Sequence, residues 1–163
     1  MRVLVTYGSK RNGTRGIAEM LGSALQEQGS EVTVMPAPGV MDVRPYDAVI
    51  VGGALYNNRW HKDARRLVKR HRNSLLGRPV WLFSSGPLDD SALATDIPPV
   101  PQVRKVFEDV DAVGHMTFGG HLSADVTGFP ASAMAKTNAG DWRDQDQVRG
   151  WAKRISDDLA TAD

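Results

Sequence analysis

The sequence predicts an α/β fold in which a parallel β-sheet is covered by helices on both faces. Five apolar runs alternate with helical segments along the chain, and within each run the apolar residues are nearly continuous. Continuous apolar strands are typical of parallel sheets that are buried on both faces. Regular alternation of strand and helix then predicts right-handed crossovers between neighbouring strands.

The five strands are predicted at residues 2–7, 31–35, 47–53, 79–84 and 112–118. The third strand is the clearest, because Ala48, Val49, Ile50 and Val51 follow one another without a polar residue. Helical segments lie between the predicted strands.

Four helices are predicted at residues 14–28, 62–76, 101–108 and 145–159. The first shows apolar residues at helical spacing and stops before Gly29, a natural C-cap. The second stops before Gly77, where we expect the same kind of C-cap. The last places Trp151, Ile155 and other apolar residues on one face.

Length and composition indicate one soluble globular domain over residues 1–163, with 41% hydrophobic and 24% charged residues. The absence of cysteine excludes a disulfide framework, an iron–sulfur cluster, a thiolate metal site and a cysteine nucleophile. No apolar run is long enough for a signal peptide or a membrane span. We expect a cytoplasmic protein, with a peripheral position at the inner membrane face left open.

The loop after the first strand is the most informative segment of the chain. It holds Gly8, Ser9, Asn12, Gly13 and Thr14 directly before a predicted helix. The unpaired N–H groups and the dipole at a helix N-terminus favour an anion, and nearby hydroxyls can donate to phosphate oxygens. A plain helix cap would need only one such residue, so the clustering favours a phosphate site.

Other phosphate-binding families do not fit this loop. The sequence has no G-x-G-x-x-G fingerprint and no G-x-x-x-x-G-K-[ST] motif after a strand. A phospho-receiver domain would need acidic residues after the first and third strands, where this chain has Thr6-Tyr7-Gly8-Ser9 and Gly52-Gly53-Ala54.

The pattern Tyr7-Gly8-Ser9-x-x-Asn12-x-Thr14 resembles the loop that binds the phosphate of flavin mononucleotide (FMN) in flavodoxins. The resemblance implies a flavodoxin-like, doubly wound, five-stranded parallel sheet in the order 2-1-3-4-5, with helices on both faces. It also implies FMN as the cofactor. Its phosphate would be held by Ser9, Lys10, Arg11, Asn12, Gly13 and Thr14.

The flavin ring needs flat apolar contacts and polar donors from neighbouring loops. Tyr56 and Trp60 offer stacking surfaces after the third strand, and Trp60 is equally well interpreted as a core anchor. Two further small polar loops follow the fourth and fifth strands. The predicted ring contacts are Ala54, Leu55, Tyr56, Asn57, Asn58, Trp60, Ser84, Ser85, Gly86, Gly120 and His121.

The four histidines do not share metal-ligand spacing with one another or with carboxylates, so no metal site is predicted. His115 lies within a strand and is interpreted as structural. His121 follows a glycine pair at a strand end and is a catalytic candidate that could donate to the flavin or the substrate. A surface-loop histidine is an equally good interpretation. No other catalytic residue can be identified, because a flavin carries its own redox chemistry.

A closer resemblance is to the flavodoxin-type protoporphyrinogen oxidases, and it rests on segments spread over most of the chain. These segments are Gly53-Ala54-Leu55-Tyr56, Arg59-Trp60-His61-Lys62, Gly77-Arg78-Pro79-Val80, Phe83-Ser84-Ser85-Gly86, Phe118-Gly119-Gly120 and Gly140-Asp141-Trp142-Arg143-Asp144. The resemblance implies an FMN enzyme that passes electrons from a porphyrinogen-type donor to a quinone. The alternatives are a non-enzymatic electron carrier and a flavodoxin-fold protein that uses a deazaflavin or has lost FMN.

The charge distribution is one-sided between residues 59 and 78 although the net charge is only +1. Eight cations lie there, with Asp63 as the single acid: Arg59, Lys62, Arg65, Arg66, Lys69, Arg70, Arg72 and Arg78. A basic helix at 62–76 could meet an acidic protein, an anionic membrane surface or substrate propionates, or could simply be solvated. Nucleic-acid binding is not predicted, because no reader motif is present. The oligomeric state is left open.

Overall fold

The computed structural model describes residues 1–10, 12–86, 96–122, 140–141 and 143–161. Its strands are β1 (Arg2–Gly8), β2 (Glu31–Pro36), β3 (Ala48–Tyr56), β4 (Arg59–Trp60), β5 (Val80–Ser85), β6 (Gly114–Phe118), β7 (His121–Leu122) and β8 (Gly140–Asp141). Its α-helices are α1 (Asn12–Glu27), α2 (Lys62–Leu75), α3 (Pro101–Asp109) and α4 (Gln145–Thr161). A 3₁₀ turn covers Ala37–Gly39.

Five parallel strands form the main sheet in the order β2-β1-β3-β5-β6. Counting only these strands, the order is the predicted 2-1-3-4-5, so the doubly wound α/β fold is confirmed. The short β4 pairs antiparallel with the end of β3, and β7 pairs antiparallel with β8 in a separate two-stranded sheet. The chain reverses its direction of winding at β1 and β3, whose carboxyl ends therefore border a crevice.

One face of the sheet packs against α1 and α4. Alternate strand residues such as Val5, Ile50 and Phe83 point to this face and meet apolar residues of the two helices. The rings of Phe83, Phe118 and Trp151 form a T-shaped cluster with centroids 5.6 to 6.4 Å apart. The absence of a side chain on Gly52 makes room for this cluster, because a Cβ there would overlap the Phe83 ring.

The other face packs against α2, α3 and the 3₁₀ turn. Leu4, Val51 and Leu82 point to this side and contact buried residues of those elements. The crossover from β2 to β3 contains this turn and no α-helix. Burial on both faces explains why β1, β3 and β5 were detectable as continuous apolar runs.

The carboxyl ends of α1 and α2 are capped in two different ways. Gly29 has φ of 99°, which confirms the predicted left-handed C-cap of α1. Gly77 has no positive φ, so the expectation of the same cap for α2 was wrong. The guanidinium of Arg78 takes that role, because its Nε donates to the carbonyl of Ser74 at 2.7 Å. Its Nη1 also donates to the carbonyls of Val43, Arg44 and Tyr46.

Candidate functional site

The carboxyl ends of β1, β3, β5 and β6 meet at one edge of the sheet, where open α/β folds bind their ligands. We expect the two long loops at 88–101 and 121–141 to border the substrate. Most of both loops lies outside the described residues, which lack 87–95, 123–139 and 142 in this region. The site is therefore built from the loop after β1, the β3–β4 hairpin, the end of β5 and the residues directly after β6.

The loop after β1 leads directly into α1, as the phosphate prediction requires. α1 begins at Asn12 and has no acidic residue in its first turn. Thr14 is only 1% exposed, Gly13 is also buried, and Ser9 is half-buried beside them. The unpaired N–H groups of the first turn, with the hydroxyls of Ser9 and Thr14, form a donor set that suits a phosphate. Arg11 and the side chain of Asn12 lie outside the described residues.

The position of this loop depends on close contact between β1 and α2. A Cβ on Gly8 would lie 2.5 Å from the backbone nitrogen of Ala64, in the first turn of α2. Gly8 therefore allows the end of β1 to touch the start of α2. The same contact places Lys10 close to the amino end of α2.

The predicted ring loop at Ala54 to Asn58 is a two-residue β-hairpin. Tyr56 pairs with Arg59, and Asn57 and Asn58 form the turn with φ of 50° and 60°. Two left-handed residues in succession define a type I′ turn, in which asparagine is strongly favoured. The asparagine pair thus has a backbone role, and its contact to a flavin stays a prediction. The Tyr56 side chain remains 39% exposed at the end of β3.

Trp60 is a buried anchor of this hairpin and is 1% exposed. Its indole N–H donates to Ser84 Oγ at 3.0 Å, and its backbone N–H donates to the side chain of Gln102 at 2.9 Å. A Cβ on Gly53 would lie 2.6 Å from Trp60 Cγ, so the glycine is required by the position of the indole. The structure thus favours the core interpretation of Trp60, and a direct flavin contact stays a prediction.

Ser84 and His115 extend this network across the sheet. Ser84 Oγ lies 3.1 Å from His115 Nε2, so one hydroxyl joins an indole from β4 to an imidazole from β6. Burial lowers the pKa of His115 to about 4, against an opposing effect of Asp96. His115 is therefore neutral at pH 7. The Ser84 hydroxyl is directed into this network, whereas Ser85 ends the strand beside it.

The loops after β5 and β6 approach each other at the same edge. The N–H of Gly86 donates to the carbonyl of Phe118 at 3.2 Å. Gly120 is buried, and β7 follows it at His121. The side chain of His121 lies outside the described residues, so its catalytic role stays a prediction.

The segment before α4 reaches the amino-terminal half of α1. A Cβ on Gly16 would overlap the guanidinium of Arg143, so that side chain lies directly over α1. Asp144 Oδ1 accepts the N–H of Gln147 at 2.7 Å and caps α4. Within the segment Gly140–Asp144, which carries part of the family resemblance, Arg143 therefore packs over α1 and Asp144 caps α4.

A pocket of about 310 Å³ opens between Lys10, the β3–β4 hairpin and the start of α2. Tyr56, Asn57 and Trp60 line it from the hairpin. Four of the lining residues are cations, namely Lys10, Arg59, Lys62 and Arg65, and no carboxylate lines it among the described residues. This pocket concentrates positive charge next to the loop that leads into α1.

The basic run seen in the sequence separates into two groups in the structure. Arg78 and Arg72 donate to backbone carbonyls, and Arg65 Nε donates to the carbonyl of Trp60 at 3.0 Å. The remaining basic side chains are exposed, and none of them forms an ion pair within the described ranges. This exposed group consists of Arg59, Lys62, Arg66, Lys69 and Arg70.

His61 is a site residue that sequence reasoning missed. Its Nδ1 accepts the N–H of Asp63 at 3.2 Å, so the imidazole caps α2 from the floor of the pocket. Burial lowers the pKa of His61 most, Asp63 opposes that shift, and Lys10, Lys62 and Arg65 lower the pKa further. Its place directly before a helical pattern was the available signal, although histidine is not among the preferred capping residues.

The fold and the donor loop define a flavodoxin-like, FMN-binding class of protein. A family model described as flavodoxin domain matches residues 4–138. The chain therefore belongs to the flavodoxin domain family, and this membership implies FMN as the cofactor. The described loop after β1 fits the phosphate of that cofactor, because it offers hydroxyl and backbone donors with no acid in the first helical turn.

Among curated proteins, the chain is similar to protoporphyrinogen IX dehydrogenase [quinone] of Escherichia coli strain K12. The two are 27% identical over 86 residues, which cover 52% of this chain and 48% of that protein. The chain thus spans about half the length of the curated relatives it matches.

Solved structures share the fold at low sequence identity. Rubredoxin oxygen:oxidoreductase from Desulfovibrio gigas superposes with a TM-score of 0.67 and 14% identity, covering 98% of this chain and 36% of that one. Oxidised flavodoxin 1 from Bacillus cereus gives a TM-score of 0.62 and 14% identity, covering 94% and 95%. None of the helices in the described ranges has the length and apolarity to cross a membrane.

Proposed function

We propose that the protein is an FMN-dependent oxidoreductase that takes electrons from a reduced organic substrate and passes them to a quinone or another acceptor. The observation that carries this proposal is the donor set at the start of α1, where buried Thr14 and an acid-free first turn face the edge of the sheet. In a chain of the flavodoxin domain family, this set suits the cofactor phosphate.

The roles of the chain's own residues follow from their positions. Ser9, Lys10, Gly13 and Thr14 would hold the phosphate, and residues 54–58 with Ser85, Gly86 and Gly120 would border the ring. FMN, when bound, supplies the electron-accepting chemistry. The protein would bind and orient the two reactants and limit the access of water.

A porphyrinogen-type electron donor is the more specific form of this proposal. It is supported by the similarity to a protein named protoporphyrinogen IX dehydrogenase [quinone] and by the cationic pocket beside the phosphate loop. Porphyrinogens with propionate groups are acidic, and such groups match the charge of that pocket.

A second candidate function is a non-enzymatic electron carrier. The exposed basic face of α2 favours it, because charged surfaces steer the encounter of redox partners.

The same face supports a proposed cytoplasmic location in which the protein meets the inner membrane surface. Sedimentation with anionic lipid vesicles, compared with neutral vesicles, would test that association.

The first experiment identifies the cofactor. We expect the purified protein to be yellow and to release FMN, identified by mass, at about one per chain. Thr14→Ala should weaken FMN binding about tenfold or more, since a hydrogen bond to a charged group is worth about 1.5–3 kcal/mol. Thr33→Ala in β2 is the matched control and should bind FMN like the parent protein. A colourless protein that takes up no FMN would contradict the proposal.

The second experiment separates an enzyme from a carrier. The FMN-loaded protein is mixed with protoporphyrinogen IX and a soluble quinone, without any other protein. Sustained porphyrin formation above the spontaneous rate supports the enzyme. If the flavin is reduced and reoxidised only when a protein partner is added, the carrier function is supported instead.

A further inference from the structure

The cationic pocket lies next to the proposed phosphate site and shares Lys10 with it. Its hairpin side is lined by Tyr56, Asn57 and Trp60, which are also predicted ring contacts, whereas Arg59, His61, Lys62 and Arg65 belong to the pocket alone. It is bounded by Lys10 on one side, by Tyr56 and Arg59 of the hairpin, and by Lys62 and Arg65 of α2. Three separate chain segments thus place four positive side chains around a single cavity. Like charges at such close quarters repel one another, and a bound anion would relieve that repulsion.

Arg65 is a cation of this pocket whose side chain is held by a hydrogen bond to the backbone. Its Nε is held by the carbonyl of Trp60 at 3.0 Å, and Trp60 is itself fixed by Ser84. The terminal nitrogens of Arg65 make no hydrogen bond to any other described residue. A guanidinium held in this way presents two parallel donors, which is the arrangement that binds a carboxylate in bidentate fashion.

His61 adds a neutral donor to the same floor. Because its Nδ1 accepts the N–H of Asp63, the neutral ring carries its proton on Nε2. The neighbouring cations Lys10, Lys62 and Arg65 all disfavour a charged imidazole. The pocket therefore combines an excess of positive charge with additional hydrogen-bond donors.

The shape of the pocket limits its occupant. Its volume of about 310 Å³ lies at the lower end of the range for small-molecule sites and accommodates one acidic arm of a larger molecule. Tyr56 is 39% exposed at its edge and offers an aromatic surface to an apolar body. Lys10 directly follows Ser9, so a ligand in the pocket would lie beside the cofactor loop.

We propose that this pocket binds a carboxylate group of the reduced organic substrate and so orients that substrate beside the cofactor. The inference rests on the proposed oxidoreductase function, and it assigns substrate recognition to Arg59, Lys62 and Arg65. Tyr56 would contact the apolar part of the same molecule.

The test uses the FMN-loaded protein and two probes, protoporphyrin IX and its dimethyl ester, which differ only in the two carboxylates. Binding is followed by quenching of flavin and tryptophan fluorescence. The pocket variant is Arg59→Ala with Lys62→Ala. The matched control is Lys69→Ala with Arg70→Ala, which removes the same charge from exposed positions on α2 outside the pocket.

We expect the dissociation constant of the diacid to rise at least tenfold in the pocket variant and to change less than twofold in the control. The ester should bind weakly to all three proteins, and FMN affinity should stay within twofold. Equal losses in both variants, equal binding of acid and ester, or no binding of the diacid to the parent protein would overturn the proposal. If the proteins still bind FMN in those cases, the proposed FMN-dependent function is not contradicted.

Loss of FMN from the pocket variant would also overturn the proposal, since it would show that the pocket serves the cofactor phosphate. Circular dichroism and thermal unfolding of both variants establish that they are folded. Arg59 and Lys62 are exposed and make no ion pair with a described residue, so little change in stability is expected.

Discussion

The indole N–H of Trp60 donates to Ser84 Oγ at 3.0 Å and so ties the β3–β4 hairpin to the neighbouring strand β5. The same hydroxyl lies 3.1 Å from His115 Nε2 in β6. One small side chain thus links three strands beneath the cationic pocket, and the hairpin that carries Tyr56 and Arg59 depends on it.

Ser84→Ala removes the shared hydrogen-bond partner of two ring nitrogens, Trp60 Nε1 in the core and His115 Nε2 at a partly buried position. We expect a loss of about 1–3 kcal/mol in the free energy of unfolding, because both nitrogens lose a hydrogen bond. Urea denaturation followed by fluorescence measures it. Ser156→Ala is the control, since Ser156 Oγ is buried without a hydrogen-bond partner among the described residues, and its removal should be nearly neutral. Equal effects of the two changes would contradict the role given to Ser84.

Gly53→Ala should destabilise the protein by about 1–3 kcal/mol, because the new methyl group would lie 2.6 Å from Trp60 Cγ in a closely packed core. Gly150→Ala is the matched change on α4, where nothing lies within 4 Å of the added Cβ. There we expect a gain of up to about 1 kcal/mol from helix propensity. Thermal and urea unfolding of both variants test the pair, and a neutral Gly53→Ala would show that the indole is not fixed in place.

His115 predicts a pH dependence of stability. Its folded-state pKa of about 4 lies below the ordinary value of 6.5, so the unfolded chain takes up a proton first as the pH falls. This contribution is fully present above pH 6.5 and is lost between pH 6.5 and about 4, by at most about 3 kcal/mol. His115→Gln should show a shallower decline over that window in urea denaturation. Parallel curves for both proteins would refute the assignment.

Substitutions of Asn58 in the hairpin turn can distinguish a backbone role of this residue from a contact with the flavin. Asn58→Gly should leave stability within about 0.5 kcal/mol, since glycine accepts a φ of 60° without strain. Asn58→Val should lose about 1–2 kcal/mol, because a β-branched residue is strained there. Measured FMN affinity then tests the predicted flavin contact. If Asn58→Gly keeps both stability and FMN affinity, the asparagine side chain makes no such contact.

Arg78→Lys tests the capping of α2. The guanidinium donates to four carbonyls from two segments. A lysine ammonium has a single nitrogen and cannot donate to all of these carbonyls at once. We expect a loss of about 1–2 kcal/mol in unfolding free energy. Arg66→Lys, at an exposed position of the same helix, should be neutral within about 0.5 kcal/mol. A similar small effect at both positions would argue against the cap.

The fold class, the strand order implied by the resemblance, the five main strands and the four helices were all predictable from the sequence. This was possible because β1, β3 and β5 are buried on both faces and therefore carry continuous apolar runs. The loop after β1 was equally accessible, since its hydroxyls, glycines and helix start are neighbours along the chain. The C-cap at Gly29 is local for the same reason.

Roles that depend on contacts between distant segments became visible only in the folded chain. Trp60 became an anchor because Ser84 meets its indole across the sheet. Arg78 also binds three carbonyls of the segment after β2, because folding brings that segment within its reach. The cationic pocket joins Lys10 to residues about fifty positions later in the chain, so no local pattern could reveal it. Local propensity reports the conformation of neighbouring residues, whereas charge, burial and hydrogen bonding at a site depend on which segments folding brings together.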